Sequence, residues 1–257
     1  MNQDDTQRLL RHAMTYYIFR EPREGIVAHT PASNVLAENP ILRQWIGQAT
    51  EDMWPAATRV VDAIAKWPGS EEPSQAGYNL ANNTGDPMYI DINKNPIRAK
   101  RFADAMSLFY SRPGLEISHI VNNYDWVNTG NGTGGKTTVI VDVGGSHGTV
   151  SIELAKKFSS VECIVQDLPE VLLSAETPPE LAGRVRFMAH DFFTKQPVKG
   201  ADVYYFRWIF HNWSNKYAIR ILQALIPALK HGARVIISEA CIPDHGAISL
   251  YQERTVR

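Results

Sequence analysis

TTVIVDVGGSHGTVSIELAKKF, residues 137–158, is the stretch whose reading decides the fold. Val139 to Val143 form an apolar run broken only by Asp142, the pattern of a strand buried in a parallel sheet. Gly144, Gly145 and Gly148 then call for a tight turn, and Val150, Leu154 and Phe158 fall at helical spacing. A strand that passes through glycines into a helix lets backbone approach a ligand and aims N–H groups at it. Asp142 adds an acceptor at the same place. The pattern predicts a nucleotide-type cofactor loop.

Around this loop, residues 138–143, 161–166, 184–188, 201–206 and 233–239 read as strands, with helical stretches at 149–158, about 169–175 and 216–230. Such alternation predicts a doubly wound α/β sheet of Rossmann type, mostly parallel, with its ligand at the carboxyl ends of the strands. Residues 1–135 read differently. Leu9, Leu10, Met14 and Tyr17 suggest a short amphipathic helix, followed by YYIF and IVAHT as extended pieces around a REPREG turn. Helical patterns run at about 34–66 and 95–124, and the loop NTGNGTGGKT, 128–137, is the expected hinge. The predicted organisation is a helical region with a partial winged helix over 1–135 and a cofactor domain over 136–257.

The chain has 257 residues, 44% of them hydrophobic and 21% charged, with a formal net charge of −1. That is an ordinary globular balance, and it offers no electrostatic footprint for nucleic acid or a membrane surface. A DNA-binding use of the helix and hairpin would rest on Arg8, Arg11, Arg20 and Arg23, diluted by Glu21 and Glu24. Cys163 and Cys241 both lie in apolar runs and read as buried thiols of a reducing compartment, not as a disulfide or metal site. MNQDDTQRLL is too polar for a signal peptide and no apolar run reaches a membrane span, so a cytoplasmic protein is expected.

A nicotinamide fingerprint wants glycine where Val143 stands, which counts against a dinucleotide. Asp167, ending the second strand, can accept from both hydroxyls of a ribose. Asp191, ending the third, followed by Phe192 and Phe193, suits the edge and face of an adenine. Asp167, before Leu-Pro, could instead cap the next helix, and Phe192 could be core.

VDVGGSHG, QDLPEV, HDFF, FRWIFHNWS and VIISEACIPD, in this order, resemble successive motifs of the S-adenosylmethionine-dependent O-methyltransferases. The similarity is to the caffeic acid-type family and its fungal secondary-metabolite branch. LRHAMTYYIFREP, RFADAMSLFYSRPG and YDW resemble that branch too. The resemblance implies S-adenosyl-L-methionine as cofactor, with Gly144, Gly145 and Gly148 near its methionine part, Asp167 and Leu168 at the ribose, and Asp191 and Phe192 at the adenine. Arg207 stands where the family often has a lysine near the same ring. His211, in HNWS, matches the family's general base, and Glu239 the carboxylate that orients it; Asn212 replaces a frequent Asp. Phe102, Met106 and Trp208 match residues that line the acceptor pocket. No metal is implied, and His147 and His190 read as packing or hydrogen-bonding groups.

The implied reaction is transfer of a methyl group to a hydroxyl of a small phenolic or polyketide-like acceptor. A cyclase or pericyclase on the same fold, with no methyl moved, and an inactive fragment are the alternatives. The resemblance implies homodimerisation through N-terminal helices and closure of the sheet by two further strands, and the sequence is read as stopping short of both. Impaired transfer and an uncovered sheet edge are therefore expected.

Overall fold

Asn2 begins the first element by accepting the Asp5 N–H on its side chain at 2.8 Å, which caps α1 (Gln3–Thr15). The computed structural model describes residues 2–110, 114–127, 137–173 and 175–254. A hairpin follows, β1 (Phe19–Arg23) paired antiparallel with β2 (Ile26–His29). The first strand lies later than expected: Tyr17 takes φ +58° and ends the helix, and REPR is itself strand. The turn is confined to Glu24 and Gly25, where Gly25 takes φ +74° and donates to Glu21 at 2.7 Å. Pro22 is tolerated because a two-stranded ribbon leaves one side of each strand unpaired.

The helical pattern over 34–66 is cut into short pieces, and the sequence shows where. Asn39 accepts the N–H groups of Ile41 and Leu42, both at 3.0 Å, separating α2 (Pro31–Glu38) from α3 (Pro40–Gly47). A wider π turn (Gln48–Met53) leads to α4 (Trp54–Ala57), which has a proline near its start, and then to α5 (Val60–Lys66). Proline lacks the N–H that would continue the ladder, so it restarts helices instead of extending them. α6 (Gly77–Asn82), α7 (Met88–Asn93) and α8 (Pro96–Tyr110) complete this part. Polar groups hold it together. Arg98 donates to Asp52 at 2.6 and 3.0 Å, to Asp91 at 3.2 Å and to the Tyr78 hydroxyl at 2.6 Å, while Tyr78 donates to Asp91 at 2.7 Å.

The second half is built on the sheet. α9 (Ile117–Asn123) precedes β3 (Thr138–Val143), α10 (Thr149–Lys157), β4 (Val161–Asp167), α11 (Pro169–Leu172), β5 (Val185–Ala189), β6 (Val203–Arg207), α12 (Asn215–Leu225), β7 (Arg234–Ser238) and α13 (Leu250–Glu253). The five strands are all parallel in the order β5-β4-β3-β6-β7, so the direction of winding reverses between β3 and β6. Side chains alternate across the strands. Ile140, Cys163, Val203 and Tyr205 pack with Trp126 and α10 on one face; Val141, Ile164, Tyr204 and Phe206 pack with α12 on the other. Buried between β4 and α12, the Gln166 and Gln196 amides exchange two hydrogen bonds, both at 2.8 Å.

Contacts divide the chain into two units, Met1–Ser70 with Ser74–Leu115, and Glu71–Pro73 with Glu116–Arg257. The sequence reading draws its boundary at 135/136. Residues 116–127 group with the sheet because Trp126 is fully buried against Tyr205, ring centroids 5.5 Å apart. The expected hinge loop lies, but for Thr137, outside the described residues. Cys163 is buried as expected, but Cys241 is exposed, since the chain has left the sheet after β7. β7 pairs with β6 alone among the described residues, and Ile237 on it is 49% exposed. No helix among the described residues is long and apolar enough to cross a membrane.

Candidate active site

Two turns leave the neighbouring strands β3 and β6 at the carboxyl edge of the sheet, where the winding reverses. In the first, Gly144 and Gly148 take φ +73° and +70°, and Ser146 takes +50°. The N–H groups of Gly144 and Gly145 do not face outward. Both donate to the Gln166 carbonyl, at 2.8 and 3.0 Å, and so pin the turn to β4. The glycines are required by packing. A Cβ on Gly144 would stand 2.5 Å from Ile209 Cδ1, one on Gly145 2.6 Å from the Asp142 carboxyl carbon, and one on Gly148 2.9 Å from Val165.

Asp142 accordingly supports the turn from beneath. Its carboxylate is 3% exposed, accepts from the Ser151 hydroxyl at 2.7 Å, and is pushed up to about 6 by burial. The ligand-facing position expected for this acid is thus corrected: burying it filled the space below Gly145. At the end of β4, Asp167 accepts from the Ser146 N–H and the Leu168 N–H, each at 2.8 Å, one on each oxygen. Burial raises its pKa, opposed by those two hydrogen bonds. A carboxylate has about four acceptor positions, so each oxygen keeps one for a vicinal diol. Beyond β5, Asp191 is exposed and accepts from the Phe193 N–H at 2.9 Å. Phe192 packs edge-on to Phe193 and Trp213, with centroids 4.9 and 5.9 Å away. His190 beside them has a buried Nε2 with no partner, and burial lowers its pKa.

The second turn contains no glycine. Trp208 takes φ +56°, a region costly for a bulky side chain. Glu239, directly after β7, holds the turn in place. Its Oε1 accepts from the N–H groups of Ile209 and Phe210 at 2.7 and 2.8 Å, and its Oε2 lies 2.7 Å from His211 Nδ1. The Glu239 side chain is 15% exposed and that of His211 44%, so the acid is enclosed and the imidazole open. The Trp208 ring meets the imidazole edge-on at 5.4 Å. With Nδ1–H donated to a carboxylate, Nε2 carries the lone pair. The pair leaves one ring nitrogen, Nε2, available on the open side of the imidazole.

The O-methyltransferase domain profile matches residues 80–255. The chain belongs to this family. Among curated fungal proteins it is 47% identical to chlorophenol O-methyltransferase of Trichoderma longibrachiatum over 97% of its own length and 54% of that protein's. The chain spans about half the length of the curated relatives it matches. Of solved structures, OxaC in complex with SAH and oxaline superposes with a TM-score of 0.82 at 24% identity, over 96% of this chain and 63% of that one. A structure described as a pericyclic reaction enzyme superposes with a TM-score of 0.73 at 25% identity, with the same coverage.

Within the second unit the structure brings Gly144, Gly145, Gly148, Asp167 and Leu168 together at one turn, and Trp208, His211 and Glu239 at the other. Ile209 against Gly144 joins the two. Arg207 ends β6. It follows Phe206 on β6 and so points to the opposite face from Phe192, and its charge acts on Asp142. Phe102 and Met106 are half-buried on α8 of the first unit, where Phe102 meets the Tyr89 ring at 5.6 Å. Ile209, absent from the expectations, gave no signal beyond its apolar character. The hydrogen bonds of Glu239 to backbone were equally hidden, since their partners lie 29 and 30 residues away.

The family implies S-adenosylmethionine, and the donor set fits it: two acceptor positions on Asp167, a flat apolar wall at Phe192, and an exposed acid at Asp191.

Proposed function

We propose that the chain is an S-adenosylmethionine-dependent O-methyltransferase acting on a hydroxyl of a small phenolic or polyketide-type acceptor. The observation that carries this is the 2.7 Å Glu239–His211 pair beside the glycine turn. The name of the chlorophenol-methylating relative supports a phenolic acceptor. In this reading the second unit holds the cofactor. Asp167 accepts from the ribose hydroxyls, Leu168 flanks it, Asp191 and Phe192 meet the adenine, and Gly144, Gly145 and Gly148 set the turn beside the methionine part. Bound there, the cofactor supplies a methyl group already activated by its sulfonium.

The residues then have two tasks. They align the acceptor oxygen, and they remove its proton. A phenol with pKa near about 10 is almost wholly protonated at neutral pH, so a base is useful, and it contributes about 10²–10⁴-fold. His211 takes the proton on Nε2, and the Glu239 carboxylate stabilises the imidazolium that forms. Trp208 lines the acceptor side.

The test is S-adenosylhomocysteine formation with a panel of phenols, next to a version of the chain extended to the length of its relatives. Methylated product and S-adenosylhomocysteine should appear one to one, and His211→Ala should abolish at least about 10²-fold of the rate. Equal loss-free turnover in His211→Ala would refute the base. The likeness to a pericyclic reaction enzyme favours a second reading, in which the cofactor is bound and no methyl moves. Substrate rearranged with the cofactor unchanged would select it. Cofactor binding without any turnover would assign a binding role.

A further inference from the structure

The first turn of α12 is capped from far away in the sequence. Ser214 stands at its N-cap, a residue type that normally accepts an N–H of the first turn, yet its side chain makes no such bond. Its hydroxyl instead donates to the Glu71 carbonyl at 3.0 Å, and the Lys216 N–H donates to the Glu71 carboxylate at 3.3 Å. Glu72 accepts from the Tyr217 hydroxyl at 2.6 Å and is ion-paired with Lys216. Glu71–Pro73 belong to the sheet unit although the chain on either side of them belongs to the other. Two carboxylates thus meet the positive end of α12.

What they hold matters to the site. Ser214 follows His211 by three positions. Tyr217 continues into a ring cluster, 5.8 Å from Trp213 and 5.6 Å from Phe193, and Trp213 in turn meets Phe192. The Arg220 guanidinium sits over the Phe193 and Tyr217 rings at 5.3 and 5.0 Å. We infer that Glu71 and Glu72 are positioning residues: Glu71 caps α12, Glu72 holds the Lys216 and Tyr217 side chains of its first turn, and together they fix the aromatic wall at Phe192 and the turn that carries His211. The consequence for ligand affinity rests on the proposed function, which puts the adenine at Phe192.

Three variants test it: Glu72→Ala, Glu72→Gln and Tyr217→Phe. Amide hydrogen exchange is followed residue by residue, and S-adenosylhomocysteine is titrated by calorimetry. In Glu72→Ala, exchange at Tyr217 and Ala218 should rise about fivefold or more while Ile152 of α10 is unchanged, and the Kd should rise about fivefold. Glu72→Gln keeps an acceptor for Tyr217 and should stay within about twofold of the parent. Adding Tyr217→Phe to Glu72→Ala should cost nothing further, because the two share one interaction. Unchanged exchange in Glu72→Ala, or a rise spread evenly over α10 and α12, would overturn the inference, and so would local loosening with an unchanged Kd. Should the parent chain itself fail to bind S-adenosylhomocysteine, the proposed function falls, and the exchange pattern with the double variant alone decides the clamp.

Discussion

The turns after β3 and β6 leave adjacent strands at one edge of the sheet and meet the same demand with different material. Each must reverse direction through left-handed backbone, and each borrows its hydrogen-bond acceptors from the strand outside it. In the first, glycine at 144 and 148 adopts positive φ at no steric cost, and β4 supplies the Gln166 carbonyl and the Asp167 carboxylate. In the second, Trp208 is held at φ +56°, and β7 supplies Glu239. The glycine turn is specified by its own sequence. The other is specified by a side chain thirty residues on, which also orients His211. Strain imposed from outside is therefore placed where the proposed base sits, and composition relieves it where only a cofactor must be seated.

The largest expected effect breaks the second turn's double use of one acid. Glu239→Gln retains an acceptor for the Ile209 and Phe210 N–H groups but presents an amide to Nδ1, favouring the wrong tautomer. Turnover should fall about 10²–10³-fold with little change in melting temperature, whereas Glu239→Ala should lose both. Turnover within tenfold of the parent in Glu239→Gln would separate Glu239 from the chemistry.

Next is the glycine turn itself. Gly144→Ala forces a Cβ against Ile209 at positive φ, and should cost about 2–4 kcal/mol in urea unfolding with an unchanged slope. A loss under about 1 kcal/mol would mean that Ile209 swings away freely and that the two turns are not packed as one.

Asp142 sharpens the comparison through pH. Because burial lifts its pKa to about 6, the folded chain binds this proton more tightly than the unfolded one. The group's contribution to stability is therefore greatest at low pH, declines as pH rises from about 4 to about 6, and stays lost above that. Asp142→Asn should be more stable than the parent by roughly 1–3 kcal/mol at pH 8, with the difference vanishing below about pH 4. A constant difference across that range would show that the acid is not buried in the charged form.

The smallest effect is at Trp208. Trp208→Gly removes about 1 kcal/mol of backbone strain and also the ring contact with His211, so stability should change by less than about 1 kcal/mol. The acceptor KM should nevertheless rise severalfold in initial-rate measurements. An unchanged KM would leave Trp208 as a scaffold residue only.

The sheet was legible because its residues obey a local rule. Ile140, Val141 and Val143 are fully or almost fully buried, and an apolar run of that length has few other uses. Strand ends fell within one or two residues of expectation for the same reason. The helical region was read less well. Its apolar periodicity continues across Asn39–Pro40 and Pro55, and only caps and missing donors reveal the breaks. Asp167, His211 and Glu239 came from motif order, and their mutual distances could not. Asp142 was misplaced because a motif gives a position along the chain and not the face of the strand that a side chain takes.

The reciprocal amide pair of Gln166 and Gln196 has a consequence of its own. Gln166 also offers its carbonyl to Gly144 and Gly145 of the first turn, so a small slip of β4 would be felt there. Replacing either glutamine alone strands a donor and an acceptor out of reach of water, at about 1–3 kcal/mol, whereas replacing both with leucine or methionine removes the amide pair together and leaves only the Val198 N–H, which donates to Gln196 at 3.0 Å, to find another acceptor. The two positions are thus expected to drift through evolution as a matched couple, a lock and key cut from the same blank.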